Sequence, residues 1–238
     1  MDRNVTTPID FTAQHRTVGQ AAAWSVFLLG VVYALVTALG FLSLASPQDP
    51  IGDPYLTIME LLIVPLASLY VVTMVAVHAY ARPAVEVYSL TALVFMIVLA
   101  AITTCVHFVT LTVGPRLDAT GLSWVPLLVS FEWPSVVYAL DILAWDWFFA
   151  LSMLFAAPVF MRGTELERWV WILLFASGLL SLAGLVGVPL ADMQVRNIGI
   201  VGYAIVAPIA FLLMGIVFGR AEPVQDGCER TRDPRSGT

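Results

Sequence analysis

Residues 55–81 read YLTIMELLIVPLASLYVVTMVAVHAYA, an apolar run in which Glu60 is the one acidic residue. At about 1.5 Å per residue, a helix of this length reaches about 40 Å and so crosses the ~30 Å hydrocarbon core of a bilayer. Runs of similar length recur near residues 18–45, 85–113, 134–161, 165–189 and 198–218. The sequence therefore predicts an all-α, polytopic membrane protein, a bundle of six transmembrane helices.

The composition excludes several other classes of protein. Hydrophobic residues make up 60% of the 238 residues and charged residues only 12%, against roughly 25% for a soluble domain. All 11 basic residues are arginines, which excludes a retinal or pyridoxal Schiff base because either needs a lysine amine. The arginines lie mostly near predicted helix ends and form no basic groove. We therefore predict membrane lipids as partners and no nucleic acid.

The distribution of arginines predicts the orientation of the chain. Nine of them fall before the first span, in the connections after the second and fourth spans, or after the sixth, and only Arg116 and Arg196 fall on the other side. Because cytoplasmic loops carry the excess of basic residues, both termini are predicted to be cytoplasmic. The expected location is the cell membrane, with the chain crossing it several times.

Three regions follow from this threading. Residues 1–17 form a cytoplasmic N-terminal segment, residues 18–220 the transmembrane domain, and residues 221–238 a polar cytoplasmic tail predicted to be disordered. The longest external connection, residues 114–133, ends in an apolar stretch interrupted by Pro126. It is either a lid that lies in the outer interface or an upward extension of the fourth span.

Ionisable residues inside the spans are the best candidates for function, because each costs several kcal/mol in hydrocarbon. Glu60, His107 and Asp141 all fall within roughly 7–11 Å of the outer boundary, counted at 1.5 Å per residue. Thr103 lies one turn below His107, and Trp145 one turn below Asp141. These five residues are predicted to line an outward-facing, ligand-binding cavity. The alternative is a hydrogen-bonded cluster that only fixes helix packing.

Asp146 differs from these residues in depth and in direction. It lies about 18 Å below the start of its span and, five residues after Asp141, should point about 140° away from it. No arginine is expected at that depth, so desolvation favours the neutral acid. Asp146 is thus a candidate proton carrier, or a neutral hydrogen-bond donor to a free carbonyl.

Other polar or small residues give weaker indications. His107, Glu60 and Asp141 could supply three zinc ligands, but no spacing signature supports this, so no metal site and no particular cofactor is predicted. Asp192 and Arg196, spaced i and i+4, are expected to steady the outer turn before the last span. A face of small residues on the last two spans is expected to pack helix against helix, or to join an oligomer or larger complex: Ser177, Ser181, Gly184, Gly199, Gly202 and Ala210.

The run FEWPSVVYALDILAWDWFFALSMLFAAPVF at 131–160, together with residues 53–81 and 89–113, resembles a family of small six-helix prokaryotic integral membrane proteins. The function of that family is unknown. The resemblance covers most of the chain and implies an integral membrane location, but it assigns no role to any residue.

The leading hypothesis is a binding or transport-type protein whose polar cavity takes a small amphipathic or lipid-like ligand. An intramembrane enzyme is the first alternative, with His107 as general acid or base and with Glu60 and Asp141 positioning it or holding a metal. A structural subunit of a larger membrane complex is the second alternative.

Overall fold

The computed structural model describes residues 11–46, 49 and 51–222. Six of its helices are long and apolar enough to cross a membrane, which confirms the predicted fold class. They are α1 (Ala13–Leu42), α2 (Tyr55–Tyr80), α3 (Pro83–Thr112), α4 (Val136–Phe160), α5 (Glu165–Leu190) and α6 (Met193–Arg220). No strand occurs within the described residues. The predicted disordered tail lies, apart from its first two residues, outside the described residues.

Side-chain caps fix several helix starts. Thr12 and His15 form a capping box at the start of α1, and Thr164 and Glu167 form the capping box predicted for α5. The Ser135 hydroxyl accepts a hydrogen bond from the Tyr138 backbone N–H at 3.1 Å and so caps α4. These caps satisfy backbone donors that have no partner inside the helix.

Two helices begin earlier than their apolar runs suggest. The first helix begins at Ala13, five residues before the apolar run near residue 18, because Thr12 caps it there. The last helix begins at Met193 instead of 198, because the Asp192 carboxylate accepts from the backbone N–H groups of Gln194 and Val195. The second shift places Arg196 inside the bundle.

The helices pack as a ring in chain order, each against the next, and α1 closes the ring against α6. Side chains of the central layer fill the middle of the ring. The Tyr70 ring of α2 lies edge-on to Phe149 of α4 and to Phe211 of α6, with centroids 5.6 and 4.8 Å apart. All three rings are buried. The bundle is therefore closed in the middle, and open space is left nearer one end.

Two segments of the described helices are π-helical. Residues Leu143–Phe149 of α4 and Val201–Val206 of α6 form π-helical turns, in which hydrogen bonds join residues five apart. Both segments lie between the central aromatic layer and the helix starts at Val136 and Met193. Such turns shift the direction of the side chains around them.

Candidate functional site

The structure brings together the three ionisable residues that the sequence analysis places at one depth. The Glu60 Oε2 lies 2.7 Å from His107 Nδ1, and Asp141 Oδ1 lies 3.4 Å from His107 Nε2. All three side chains are buried at the end of the bundle where α2, α4 and α6 begin and α3 ends. The imidazole of α3 therefore connects a carboxylate of α2 to a carboxylate of α4.

Arg196 extends this cluster and was not predicted to belong to it. Its Nε donates a hydrogen bond to Asp146 Oδ2 at 3.0 Å, and its Nη2 lies 4.0 Å from Asp141 Oδ2. Glu60, His107, Asp141, Arg196 and Asp146 thus form one connected set, which we call the charge network. The expected pairing of Arg196 with Asp192 is wrong, because Asp192 caps α6 and Arg196 points to α4.

Two premises about Asp146 are wrong: that no arginine lies at its depth, and that it belongs to another face than Asp141. Arg196 lies at the depth of Asp146. Asp146 and Asp141 both lie close to this guanidinium, so the two carboxylates face the same side of α4. The physical reason is the π-helical turn at Leu143–Phe149, which places a residue five positions on much closer to the same side than an α-helix does. Asp146 is completely buried and lies against Arg196, so it is not an isolated acid, and its role as a proton carrier stays a prediction.

Aromatic rings enclose the guanidinium of Arg196. Its central carbon lies 5.4 Å from the centroid of the Tyr138 ring and 5.9 Å from that of Tyr203. Cations within about 6 Å of an aromatic face are attracted by the ring quadrupole. Tyr138 of α4 and Tyr203 of α6 therefore hold Arg196 in the charge network. The sequence gives one signal for this, since Tyr203 follows Arg196 at i+7 on the same helix face.

A cavity of about 1290 Å³ opens above the charge network. Glu60, His107, Asp141 and Trp145 line it, as predicted, together with Arg196. Thr103 does not line it. Thr103 is fully buried one turn below His107, so the stripe of α3 that faces the cavity continues to Thr110 in the other direction. Thr103 is thus the one predicted lining residue that the geometry leaves outside the cavity.

The connection between α3 and α4 covers part of this cavity. It contains two short helices, Gly114–Asp118 and Pro126–Val129, and does not continue α4, which begins at Val136. The Phe131 ring stacks on the His107 imidazole with centroids 5.5 Å apart, and residues 129–133 line the cavity. This geometry favours the lid over the helix extension.

Four buried polar atoms of cavity-lining residues have no hydrogen-bond partner. They are Trp145 Nε1 and Arg196 Nη2, and also His107 Nε2 and Asp141 Oδ1, which face each other at 3.4 Å as an ion pair without hydrogen-bond geometry. Buried polar groups in proteins are nearly always hydrogen-bonded, because an unpaired group costs about 1–3 kcal/mol. Two of these atoms, Trp145 Nε1 and Arg196 Nη2, can only donate, whereas Asp141 Oδ1 accepts when ionised. Together they offer hydrogen bonds to a polar group that enters the cavity.

The donor set does not suit a metal ion. In the charge network, acidic and basic side chains alternate in space. Each ring nitrogen of His107 already faces a carboxylate, so neither nitrogen is directed at a metal position. Among the described residues, no group of three or more His, Cys, Asp or Glu side chains has an arrangement that could hold a metal. The zinc hypothesis for Glu60, His107 and Asp141 therefore has no geometric support.

The small-residue face of the last two helices is used within the chain. The Ser177 hydroxyl donates to the Gly202 carbonyl at 2.9 Å, and a Cβ added at Gly184 would lie 2.9 Å from the Cα of Gly199. α5 and α6 thus approach each other closely over these residues. A larger complex would therefore have to form through a surface other than this small-residue face.

No protein-family model matches the chain, and neither a curated protein nor a solved structure is similar to it. The resemblance to small six-helix prokaryotic membrane proteins therefore stays a prediction.

Proposed function

We propose that this multi-pass membrane protein is a binding or transport-type protein whose cavity takes a small amphipathic or lipid-like ligand. One observation carries the proposal: two buried donors without hydrogen-bond partners, Trp145 Nε1 and Arg196 Nη2, belong to the lining of a cavity of about 1290 Å³. A site that only fixed helix packing would satisfy these atoms internally. The distribution of arginines, under the positive-inside rule, supports an outward-facing opening in the cell membrane.

The size and lining of the cavity support an amphipathic ligand. Pockets for small molecules usually have about 300–1,000 Å³, so this cavity has room for a polar group and an attached apolar chain. Leu56, Ile63 and Leu66 of α2 line one wall, close to the charged side chains of Glu60 and His107. The ligand's polar group would face the charge network, and its apolar part would lie along this wall.

The intramembrane enzyme would use the same histidine, and the geometry supports it less well. Glu60 orients the imidazole through Nδ1, as a general base requires. Among the described residues, however, no serine, threonine or cysteine side chain is hydrogen-bonded to His107, so a nucleophile for His107 to activate is lacking there. Binding is therefore the function that the site supports best.

Native mass spectrometry of the protein in lipid nanodiscs tests the proposal. We expect a stoichiometric bound molecule in the wild type, and its loss in Thr110→Trp, which fills the cavity without replacing a residue of the charge network. Thr91→Trp is the matched control, because Thr91 lies on the same helix outside the cavity lining and should keep the molecule. A wild type without bound molecule, or equal retention in Thr110→Trp, would overturn the proposal.

A further inference from the structure

We propose that the ligand of this cavity is an amphipathic organic cation, with an ammonium group as its polar end. This inference rests on the proposed binding function and adds the charge of the ligand to it. It follows from the charges that line the cavity, from the pairing of Arg196, from the aromatic faces, and from a buried carboxylate oxygen that can accept a further hydrogen bond.

The lining of the cavity is strongly acidic. Among the described residues, seven carboxylate side chains line it, against one arginine and one histidine. Two of the seven, Glu60 and Asp141, belong to the charge network, and the other five surround them: Asp49, Asp53, Asp118, Glu132 and Asp192. Clefts lined by one sign of charge raise the local concentration of ions of the opposite sign. The cavity therefore attracts cations and repels anionic headgroups.

The one arginine does not reverse this preference. Arg196 is bonded to Asp146 through Nε and lies near Asp141 through Nη2, so its charge is already compensated by two carboxylates. The charge network has three carboxylates and only two basic side chains, so with all three carboxylates ionised it carries one negative charge even when His107 is protonated. An anionic ligand would have to compete with both carboxylates for Arg196.

Aromatic rings and a buried acceptor provide the contacts for an ammonium group. Tyr33, Phe131 and Trp145 line the cavity, and aromatic faces bind organic cations by cation–π attraction. Asp141 Oδ1, in a residue that is only 8% exposed, lies 3.4 Å from His107 Nε2 and, with two lone pairs, can also accept an N–H from the ligand. The donors Trp145 Nε1 and Arg196 Nη2 suit a neutral oxygen of the ligand and require no negative charge.

The same lining favours an organic cation over a metal ion. A divalent metal needs several oxygen ligands within about 2.0–2.6 Å of one point, and within the described part of the chain no such group of carboxylates exists. The carboxylates are instead spread around a large cavity that also has an apolar wall. A diffuse positive charge with an attached apolar chain matches this arrangement better than a compact ion.

Isothermal titration of the protein in phosphatidylcholine nanodiscs tests the inference, with empty nanodiscs subtracted. The three probes have the same alkyl chain and differ in charge: octylammonium, octyl glucoside and octyl sulfate. We expect octylammonium to bind at least ~10-fold more tightly than octyl sulfate, with octyl glucoside between them, because the acidic lining acts on charge alone.

Asp118→Asn combined with Glu132→Gln should weaken octylammonium binding about threefold, because it removes two exposed carboxylates that line the cavity. Glu86→Gln combined with Glu165→Gln removes the same charge from the opposite end and should change nothing. Equal saturable binding of all three probes, or a preference for octyl sulfate, would overturn the inference and leave the binding function standing. No saturable binding of any probe would overturn both.

Discussion

The two ends of the bundle are held together by different forces. At the end where α1 and α5 begin and α6 stops, the rings of Phe11, Tyr80, Phe160 and Phe218 pack on one another with centroids 5.4–5.9 Å apart. We call this the closed end. At the other end, five ionisable side chains lie beside a cavity of about 1290 Å³. The closed end is filled by packed rings, whereas the other end contains the cavity.

The difference shows which end sets the fold and which end is free for function. In a bilayer, apolar packing between helices brings no hydrophobic gain over lipid contact, so close packing and hydrogen bonds hold the bundle together. At the closed end, the aromatic rings pack closely, and the Tyr80 hydroxyl donates a hydrogen bond to Glu167 at 2.7 Å. The cavity end instead leaves polar atoms unpaired and contains both π-helical turns, which are frequent at functional sites.

The largest effect is expected from Arg196→Leu, which breaks the charge network at its one permanent cation. Asp146 would remain completely buried without a partner, and breaking a buried ion pair in this way costs about 3–5 kcal/mol. We expect a large fall in the free energy of unfolding, measured by titration with denaturing detergent, together with loss of the bound molecule.

The double variant Arg196→Leu with Asp146→Leu is the control for this prediction. It removes both charges, so it should recover much of the lost stability while the bound molecule stays absent. If the single variant unfolds like the wild type, the contact between Arg196 and Asp146 is not the ionic bond described above.

Phe218→Ala is expected to have a smaller effect, confined to stability. The Phe218 ring is fully buried against Phe11 and Tyr80, so truncation leaves a cavity at the closed end. In soluble cores Phe→Ala costs about 3–5 kcal/mol, and the cost here is lower because burial between membrane helices brings no hydrophobic gain over lipid contact. The same detergent titration should show this loss, while native mass spectrometry shows the bound molecule at the wild-type level. Release of the molecule by Phe218→Ala would contradict the division into two ends.

The sequence predicts the closed parts of the fold better than the site. Long apolar runs give all six helices, because the thickness of the bilayer sets their length, and the spacing of Thr164 and Glu167 gives the start of α5. Counting residues along ideal helices also brings Glu60, His107 and Asp141 together. These features depend on local sequence and on the rise of about 1.5 Å per residue along an α-helix.

The parts of the site that the sequence analysis missed depend on deviations from that regular geometry. The apolar run near residues 198–218 predicts that Arg196 lies in a turn. The helix α6 instead begins five residues before this run, because Asp192 caps it. Asp146 was placed on another face because residue counting assumes an α-helix, whereas Leu143–Phe149 is π-helical. The spacing of apolar residues predicts neither the early cap nor the π-helical turn. The contact between Arg196 and Asp146 depends on both, so it can be seen only in the structure.

Gly199→Ala is expected to have the smallest effect and tests this contact directly. Gly199 lies three residues after Arg196 on α6, and a Cβ at this position would collide with Asp146 Oδ1. The carboxylate would have to move from the position in which it binds Arg196, at a cost of about 1–2 kcal/mol. Gly52→Ala is the matched control, because no atom lies within 4 Å of its added Cβ. In an Asp146→Ala background Gly199→Ala should cost almost nothing, since the two changes act on one contact. An equal loss of unfolding free energy in both backgrounds would show that Gly199 serves only the packing of α6 against α5.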